Sequence, residues 1–418
     1  MQSVHNAGRF NGNALVVYRG NIVLHRSYGV KDTAAKVPLD TNSIFLIASV
    51  TKTFTSAVVF KLIEEGKLDL RDKVSKYLPA FPNGDRISIR NLLTHSSGIG
   101  NIDIEETDTI AWKPLNKEQV LAAFQNEPLK FSPGSSFSYT NSNYFLLGLI
   151  VEKASSKSYY DLVRQYILRP MDMFHTGFDF INLTNPDKAS GFTMLSTEKR
   201  VLAHNLDSTI TLASGDMYST TGDLLKWARA VNDTQFLKRR SWDSVFSVFK
   251  ENYAHGWLVR KFAGKKCYWH SGGTFGFASV LARFPDDDLT IILLSNVQNS
   301  SNQTLLPFSE LASITFGNEV ADYSEEVIKD INPRDYSVYI GTYSMKSDRN
   351  RKMVIAIKNG YLTATLPGTA LQLEFSSKTK FFFKNLPRDI FGEFIVDGGK
   401  VIKLIMNQGG QFEWDKIE

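Results

Sequence analysis

Ser49 and Lys52 stand three residues apart, where the apolar run Ile44 to Ala48 gives way to a stretch with helical period. Val50, Phe54, Ala57, Val58 and Leu62 recur at spacings of 3 to 4, and Gly66 follows as a C-cap. A helix beginning close to Ser49 places Lys52 one turn along on the same face, so Ser49 Oγ and Lys52 Nζ can touch. A serine hydroxyl is a poor nucleophile until its proton is removed. An ammonium held against apolar neighbours loses its charge more easily, so Lys52 can act as a base or lower the pKa of one nearby. Free N–H groups at the helix start favour an anion forming at Ser49. The pattern alone does not select this pair, because Ser-x-x-Lys recurs at Ser196/Lys199, Ser247/Lys250 and Ser377/Lys380.

Position selects it. Tyr139-Thr140-Asn141 is the only Tyr-x-Asn in the chain, about ninety residues after Ser49 and at the mouth of an apolar helix, Tyr144 to Ala154. Trp269-His270-Ser271-Gly272-Gly273 ends a late strand in glycines, where backbone N–H groups can approach a substrate without side-chain obstruction. Each has a plainer reading taken singly: Ser49 as an N-cap, Tyr139 as a core-edge tyrosine, His270 as strand packing. His95 reads as the support of a turn. The remaining histidines have no metal-site spacing, and Gly272, Gly273 and Gly276 do not form a nucleotide fingerprint, so neither metal nor cofactor is expected.

The elements that must position these residues follow from pattern. Asn13 to Tyr18 and Ile22 to Tyr28 flank Arg19-Gly20-Asn21 as a hairpin. Asn116 with Gln119 reads as a capping box opening a helix to Gln125, and further helices are predicted over Tyr159 to Leu168, Thr221 to Val231 and Leu305 to Phe316, with no β periodicity between Leu70 and the late strands. Lys266 to Ser271, Phe277 to Phe284 and Thr290 to Ser295 read as strands. Strands at both ends with helices between predict an α/β (α+β) fold: one antiparallel sheet flanked by helices, a helical lobe, and a cleft between them. From Tyr339 onward about eight short strands, with turns at Asn359-Gly360, Asp397-Gly398-Gly399 and Gln408-Gly409-Gly410, predict a small all-β barrel, able to hold a ligand or to be packed inside. The domain division expected is 1–325 and 333–418.

With 418 residues and 43% hydrophobic content the chain is long enough for two cored domains. The net charge of +5 is modest; residues 333–418 carry 13 Lys/Arg against 9 Asp/Glu, scattered as on a solvated surface and not clustered as for nucleic acid. A single cysteine, Cys267, excludes internal disulfides and leaves the redox compartment unread. The longest apolar stretch, near Tyr144 to Val151, is far shorter than the ~18 residues of a membrane span. Only a short polar segment, Met1 to Arg9, precedes the first strand.

The three elements, in this order, resemble the serine β-lactamase and penicillin-binding-protein superfamily, in the branch of class C β-lactamases, D,D-peptidases, D-aminopeptidases and esterases. Ile87 to Gly98, Arg169 to Met173 and Ala213 to Thr220 are similar to segments that recur in it. The resemblance covers about residues 10 to 317; the C-terminal segment resembles, less specifically, the lipocalin-like barrel of some members. The resemblance implies that Ser49 is the acylated nucleophile, that Lys52 and Tyr139 transfer protons, and that Asn141 holds Lys52 and the substrate amide. It implies an oxyanion hole from the N–H groups of Ser49 and Gly273. His270, Ser271 and Gly272 take the positions of the family's Lys-Thr-Gly triplet, and this is a departure: a lysine there offers a permanent charge to a substrate carboxylate, whereas a histidine is largely neutral at pH 7. The expected activity is a serine hydrolase acting through an acyl-enzyme on small amides or peptides with D-amino-acid character, of D,D-carboxypeptidase or D-aminopeptidase type. The alternatives are an esterase or weak β-lactamase of the same fold and a non-catalytic sensor or ligand-binding protein. The expected partners are a small-molecule or short-peptide substrate, cell-wall fragments among them, and a second copy of the chain through the barrel. A periplasmic or extracellular location, with a leader absent from this sequence, is expected, with a cytoplasmic one as the alternative.

Overall fold

The computed structural model describes residues 1–6, 10–32, 36–102, 113–194, 200–204, 206–231, 233–298, 305–318, 327–328, 332–366, 369–384, 391–407 and 411–417. The Ser196/Lys199 pair and the Gln408-Gly409-Gly410 turn lie outside the described residues. The chain forms two compact units, Met1–Asn318 and Glu319–Glu418.

The first unit is built on a six-stranded antiparallel sheet in the order Asn21–Tyr28, Gly12–Tyr18, Leu289–Ser295, Phe277–Phe284, Lys265–Thr274, Leu258–Phe262. The first hairpin closes on Arg19 and Gly20, at φ +50° and +77°, the pair of positive values that a tight two-residue turn demands. Gly12–Tyr18, Phe277–Phe284 and Leu289–Ser295 are buried almost throughout, because helices cover both faces. Thr221–Ala230 packs on Leu289–Ser295 and Gly12–Tyr18, and Leu305–Thr315 on Leu289–Ser295 and Leu258–Phe262.

Two expectations need correction. The strand Leu258–Phe262 has no periodicity strong enough to be predicted, since it is a half-exposed sheet edge. Short strands also form where none is predicted: Phe192–Met194 and Arg200–Leu202 join Val297–Gln298, and Phe45–Leu46 pairs with Tyr218–Ser219. The last pair is small but consequential, because it fixes the chain just ahead of Ser49.

The helix after Ser49 runs Thr51–Glu64, and it is buried on nearly all sides instead of along one stripe. Its polar side chains are therefore bonded inward: Thr53 Oγ1 to the Val50 carbonyl at 2.8 Å, Thr55 Oγ1 to the Ala213 carbonyl at 2.6 Å, and Ser56 Oγ to the His255 carbonyl at 2.6 Å. Phe54 stacks on Trp227 at 4.6 Å, and the Trp227 indole donates to Thr53 Oγ1 at 3.0 Å. Gly66, at φ +73°, ends the helix as expected, with Lys67 N donating to the Leu62 carbonyl at 2.9 Å and Gly66 N to the Ile63 carbonyl at 3.0 Å.

The second unit is a closed antiparallel barrel of eight strands, from Gly341–Met345 to Gln411–Lys416, with the first and last strands paired. Asn359-Gly360 and Gly398-Gly399 have positive φ at both hairpin positions. The barrel is packed inside: Tyr343, Phe381, Phe394, Leu404 and Trp414 are buried together, and Tyr339 stacks on Phe394 at 4.1 Å. Of the two interiors open to a barrel of this size, this one is filled by its own side chains.

Candidate active site

Ser49 lies in a short 3-10 turn, Ala48–Val50, one step ahead of the helix that carries Lys52. Ala48 takes φ +46°, the left-handed region that a residue with a Cβ rarely adopts. The turn is held from three sides. Ile47 N donates to the Met217 carbonyl at 3.0 Å, Ser279 Oγ to the Ile47 carbonyl at 2.7 Å, and Met217 N to Thr51 Oγ1 at 3.3 Å. Ser49 is left half-buried at the end of a rigid elbow.

Lys52 is completely buried, and its Nζ lies 3.0 Å from Ser49 Oγ, 2.8 Å from Asn141 Oδ1 and 2.7 Å from the Ser214 carbonyl. Burial pushes its pKa well below that of a free lysine, and the Asp216 carboxylate opposes this in part. A neutral amine has two N–H groups and one lone pair. Asn141 Oδ1 and the Ser214 carbonyl can only accept, so they take the two hydrogens and leave the lone pair toward the Ser49 O–H.

Asn141 opens the helix Asn141–Ser155 after the N-cap Thr140, whose Oγ1 accepts from Ser142 N at 3.2 Å. Asn101 ties this mouth down, its Oδ1 accepting from Asn141 N at 2.9 Å and Thr140 Oγ1 at 3.1 Å. Tyr139 is 40% exposed, and Lys52 Nζ lies 5.0 Å from its ring centroid. Protein packed around its hydroxyl pushes the phenol pKa up, and a hydrogen bond with Ser49 opposes this; solvent reaching the exposed part of the ring moderates the effect. The phenol is thus kept as a proton carrier in its neutral form.

His95 supports this arrangement from behind. It is buried at φ +52°, its ring 4.2 Å from that of Tyr139. Its Nδ1 accepts from Thr140 N at 3.3 Å and faces Asn143 Nδ2 at 3.2 Å, so the proton of the neutral ring belongs on Nε2. Burial first, and then repulsion from Lys52 and His270 whenever either carries a proton, push its pKa well below the ordinary value.

The strand Lys265–Thr274 forms the other wall. A Cβ on Gly272 would stand 2.2 Å from the Ile47 carbonyl oxygen and 2.9 Å from Ser49 N, so only glycine permits this approach. Gly273 is exposed, and a Cβ there would meet Gln298 Nε2 at 3.4 Å; Ser271 is half-buried. His270 is 2% exposed, its Nδ1 donating to the Ser271 carbonyl at 2.6 Å and its Nε2 accepting from the Tyr253 hydroxyl at 3.1 Å. Burial, with Lys52 next, pushes its pKa down to about 3, so this ring carries no charge at neutral pH.

Ser49, Lys52, Tyr139, Asn141 and Gly272 are thus brought to one place. Sequence reading gave no role to Asn101, Ser214, Asp216 or Tyr253, and gave His95 only that of a turn. Ala213 to Thr220 stood out as a segment, but its contribution to Lys52 is a backbone carbonyl, which no side-chain pattern reveals. Among the described residues no cluster of His, Cys, Asp and Glu could hold a metal ion, and no helix is long and apolar enough to cross a membrane.

A family model described as Beta-lactamase matches residues 2–311. Penicillin-binding protein 4* of Bacillus subtilis (strain 168) is 29% identical over 438 residues, covering 97% of this chain and 94% of its own. An octameric penicillin-binding protein homologue from Pyrococcus abyssi superposes with a TM-score of 0.70 at 22% identity, over 99% of this chain and 97% of that one. D-amino acid amidase from Ochrobactrum anthropi SV3 gives a TM-score of 0.68 at 20% identity, over 76% and 97%.

Proposed function

The chain belongs to the β-lactamase family, and on that premise we propose that it is a serine hydrolase acting through an acyl-enzyme on small amides or peptides with D-amino-acid character. The observation that carries this reading is the Lys52 amine, buried and held by Asn141 and Ser214 with its remaining valence 3.0 Å from Ser49 Oγ. As Ser49 Oγ bonds to the substrate carbonyl carbon, its proton passes to the Lys52 lone pair and the carbonyl π electrons move to oxygen. The N–H groups of Ser49 and Gly273 receive that oxyanion, each worth about 3 kcal/mol. When the intermediate collapses, the C–N bond breaks and the leaving amine takes a proton from Tyr139, which Lys52 reprotonates. Water then adds to the ester carbonyl as Lys52 takes its proton, the acyl C–Oγ bond breaks, Ser49 Oγ takes that proton from Lys52, and the carboxylic acid leaves. Lys52 is the base here and Tyr139 the relay, because burial disfavours a phenolate.

His270 narrows the substrate class. Neutral and buried where the family's triplet has a lysine, it supplies no charge for a C-terminal carboxylate, which weighs toward amidase or aminopeptidase chemistry over carboxypeptidase or β-lactam hydrolysis. The structural likeness to D-amino acid amidase agrees with this direction. The test is incubation with a reactive fluorophosphonate and, separately, a penicillin, followed by intact and peptide mass spectrometry. Phosphonylation at Ser49, lost in Ser49→Ala, is expected. A lasting penicilloyl adduct on Ser49 would point instead to a D,D-peptidase site. Folded protein inert to both would leave the non-catalytic binding protein as the better reading.

A further inference from the structure

In the acylation step the leaving nitrogen takes its proton from Tyr139, so it must come within about 2.6–3.2 Å of that hydroxyl. Its substituent then begins one or two bonds from the phenol. The inner side of the site is closed, since Lys52 is completely buried and bonded to Asn141 at 2.8 Å. The substituent therefore runs outward across Tyr139, which is 40% exposed.

What it meets there is aromatic. Phe137 stands two residues before Tyr139 on a stretch tied to the His95 turn, with Gly134 N donating to the Ser96 carbonyl at 2.7 Å and Ser138 N to the His95 carbonyl at 2.9 Å. The two side chains share their neighbours: by ring centroids Phe137 lies 6.1 Å from His95 and 5.8 Å from Tyr253, and Tyr139 lies 4.2 Å and 5.9 Å from them. His95 and Tyr253 are buried beneath, while Phe137 is half-buried and Tyr139 open above them. His270, its ring 6.3 Å from that of Tyr139, is buried and uncharged. The cation at this rim is Lys250, whose Nζ donates to the Ser135 carbonyl and lies 5.7 Å from the Phe249 ring.

We propose that Phe137 and the exposed face of Tyr139 form a leaving-group subsite for an amine that carries an aromatic body and no carboxylate, so that the bond cut stands before a capped or internal aromatic residue and not before a free C-terminal one. This rests on the serine-hydrolase reading of the same site. A carboxylate placed here would give up water against aromatic rings and an uncharged imidazole, while the lysine at the rim already has partners. A ring gives up nothing polar and gains edge or offset contacts with Phe137 and Tyr139.

The test compares D-alanyl-D-phenylalaninamide, D-alanyl-D-alaninamide and D-alanyl-D-phenylalanine on wild type, Phe137→Ala and Phe137→Leu, with release of the leaving amine followed by chromatography. The first two release amines of similar basicity, so their ratio reads the ring. Wild type should favour the phenylalaninamide by about tenfold or more in kcat/KM, the gain from burying one aromatic side chain. Phe137→Ala should bring that ratio below about threefold, and Phe137→Leu, which keeps an apolar bulk, should hold most of it. Equal wild-type rates on the two amides would overturn the subsite. An equal fall on both in Phe137→Ala would show that Phe137 acts only by packing Tyr139, and would overturn it too. Faster cleavage of D-alanyl-D-phenylalanine than of its amide would put a cation here, with Lys250 the candidate, and sink the uncharged assignment. Should no peptide turn over, slower fluorophosphonate labelling of Ser49 with D-alanyl-D-phenylalaninamide present, but not with D-alanyl-D-alaninamide, reads the same contact. Labelling slowed by neither overturns this inference alone, whereas a Ser49 that never labels overturns the hydrolase reading beneath it.

Discussion

Lys52 Nζ lies 3.0 Å from Ser49 Oγ, inside a shell that leaves the lysine no water and two fixed acceptors, Asn141 Oδ1 and the Ser214 carbonyl. The acceptors orient the amine, and burial pushes its pKa down. Neither alone makes a base: an oriented ammonium has no lone pair, and an unoriented amine would seldom point it at Ser49.

Charge and basicity at this position can be separated. Lys52→Arg keeps a cation but cannot release its proton near neutral pH, and Lys52→Met keeps the length without either. Both should lower the rate of Ser49 phosphonylation by about 10²–10⁴-fold, the usual contribution of a positioned base. Rapid labelling of Lys52→Arg, measured by quench and mass spectrometry, would mean that charge suffices and that the base is another group.

Gly272 and Gly273 should differ sharply. Alanine at 272 drives a Cβ to 2.2 Å from the Ile47 carbonyl, whose oxygen already accepts from Ser279 Oγ, so the elbow or the strand must move. We expect Gly272→Ala to lose at least about 10²-fold in labelling rate, as misplacement of about 1 Å does, and to unfold at lower temperature. Gly273→Ala meets only the end of the Gln298 side chain at 3.4 Å and should keep the wild-type melting temperature within a few degrees. Equal behaviour of the two variants would refute the close-approach argument.

The parts legible in the sequence were those with a local period or a rare spacing. Asn359-Gly360 announced a hairpin because few residue pairs accept two positive φ values, and Lys52 announced its place because helical spacing fixes what it can reach. The lone Tyr-x-Asn gave Asn141, but not Asn101, whose bonds to Thr140 and Asn141 span about forty residues with no motif between. The full burial of the Thr51–Glu64 helix was hidden by its threonines and serines, which look like a solvent face until their partners, such as the Ala213 and His255 carbonyls, are known. His270 was legible as a departure from a triplet. Its loss of charge depends on depth and on Lys52, which only the fold brings to it.

Acid should destabilise the first unit through histidines held neutral inside it. Burial lowers His95 well below its ordinary value, His255 to about 4 and His270 to about 3. Unfolded, each would take a proton near pH 6.5, so below that pH the unfolded chain binds more protons and stability falls with pH until the folded rings protonate. The slope contributed is at most about 1.4 kcal/mol per pH unit for each ring. The share of these rings in the melting temperature should be level above about pH 7 and drop steeply from about 6 to 4, with the drop reduced in His255→Met, which removes one such group away from Ser49. A profile as steep in His255→Met as in wild type would show that this ring is not among the causes.

Asp216 should act on stability in the opposite sense. Its carboxyl is raised from about 3.8 to about 8 by burial, with Lys52 and the Tyr159 and Tyr160 hydroxyls as the titratable groups around it. Between those values the unfolded chain has lost a proton that the folded chain keeps, so stability declines as pH rises toward 8 and is level above it. Asp216→Asn has no proton to lose. Compared without ligand, the variant should match wild type near pH 4, gain steadily on it from about pH 5, and hold a lead of several degrees in melting temperature above about pH 8. A lead independent of pH would mean that the asparagine improves packing and that the carboxyl is not held protonated by its surroundings.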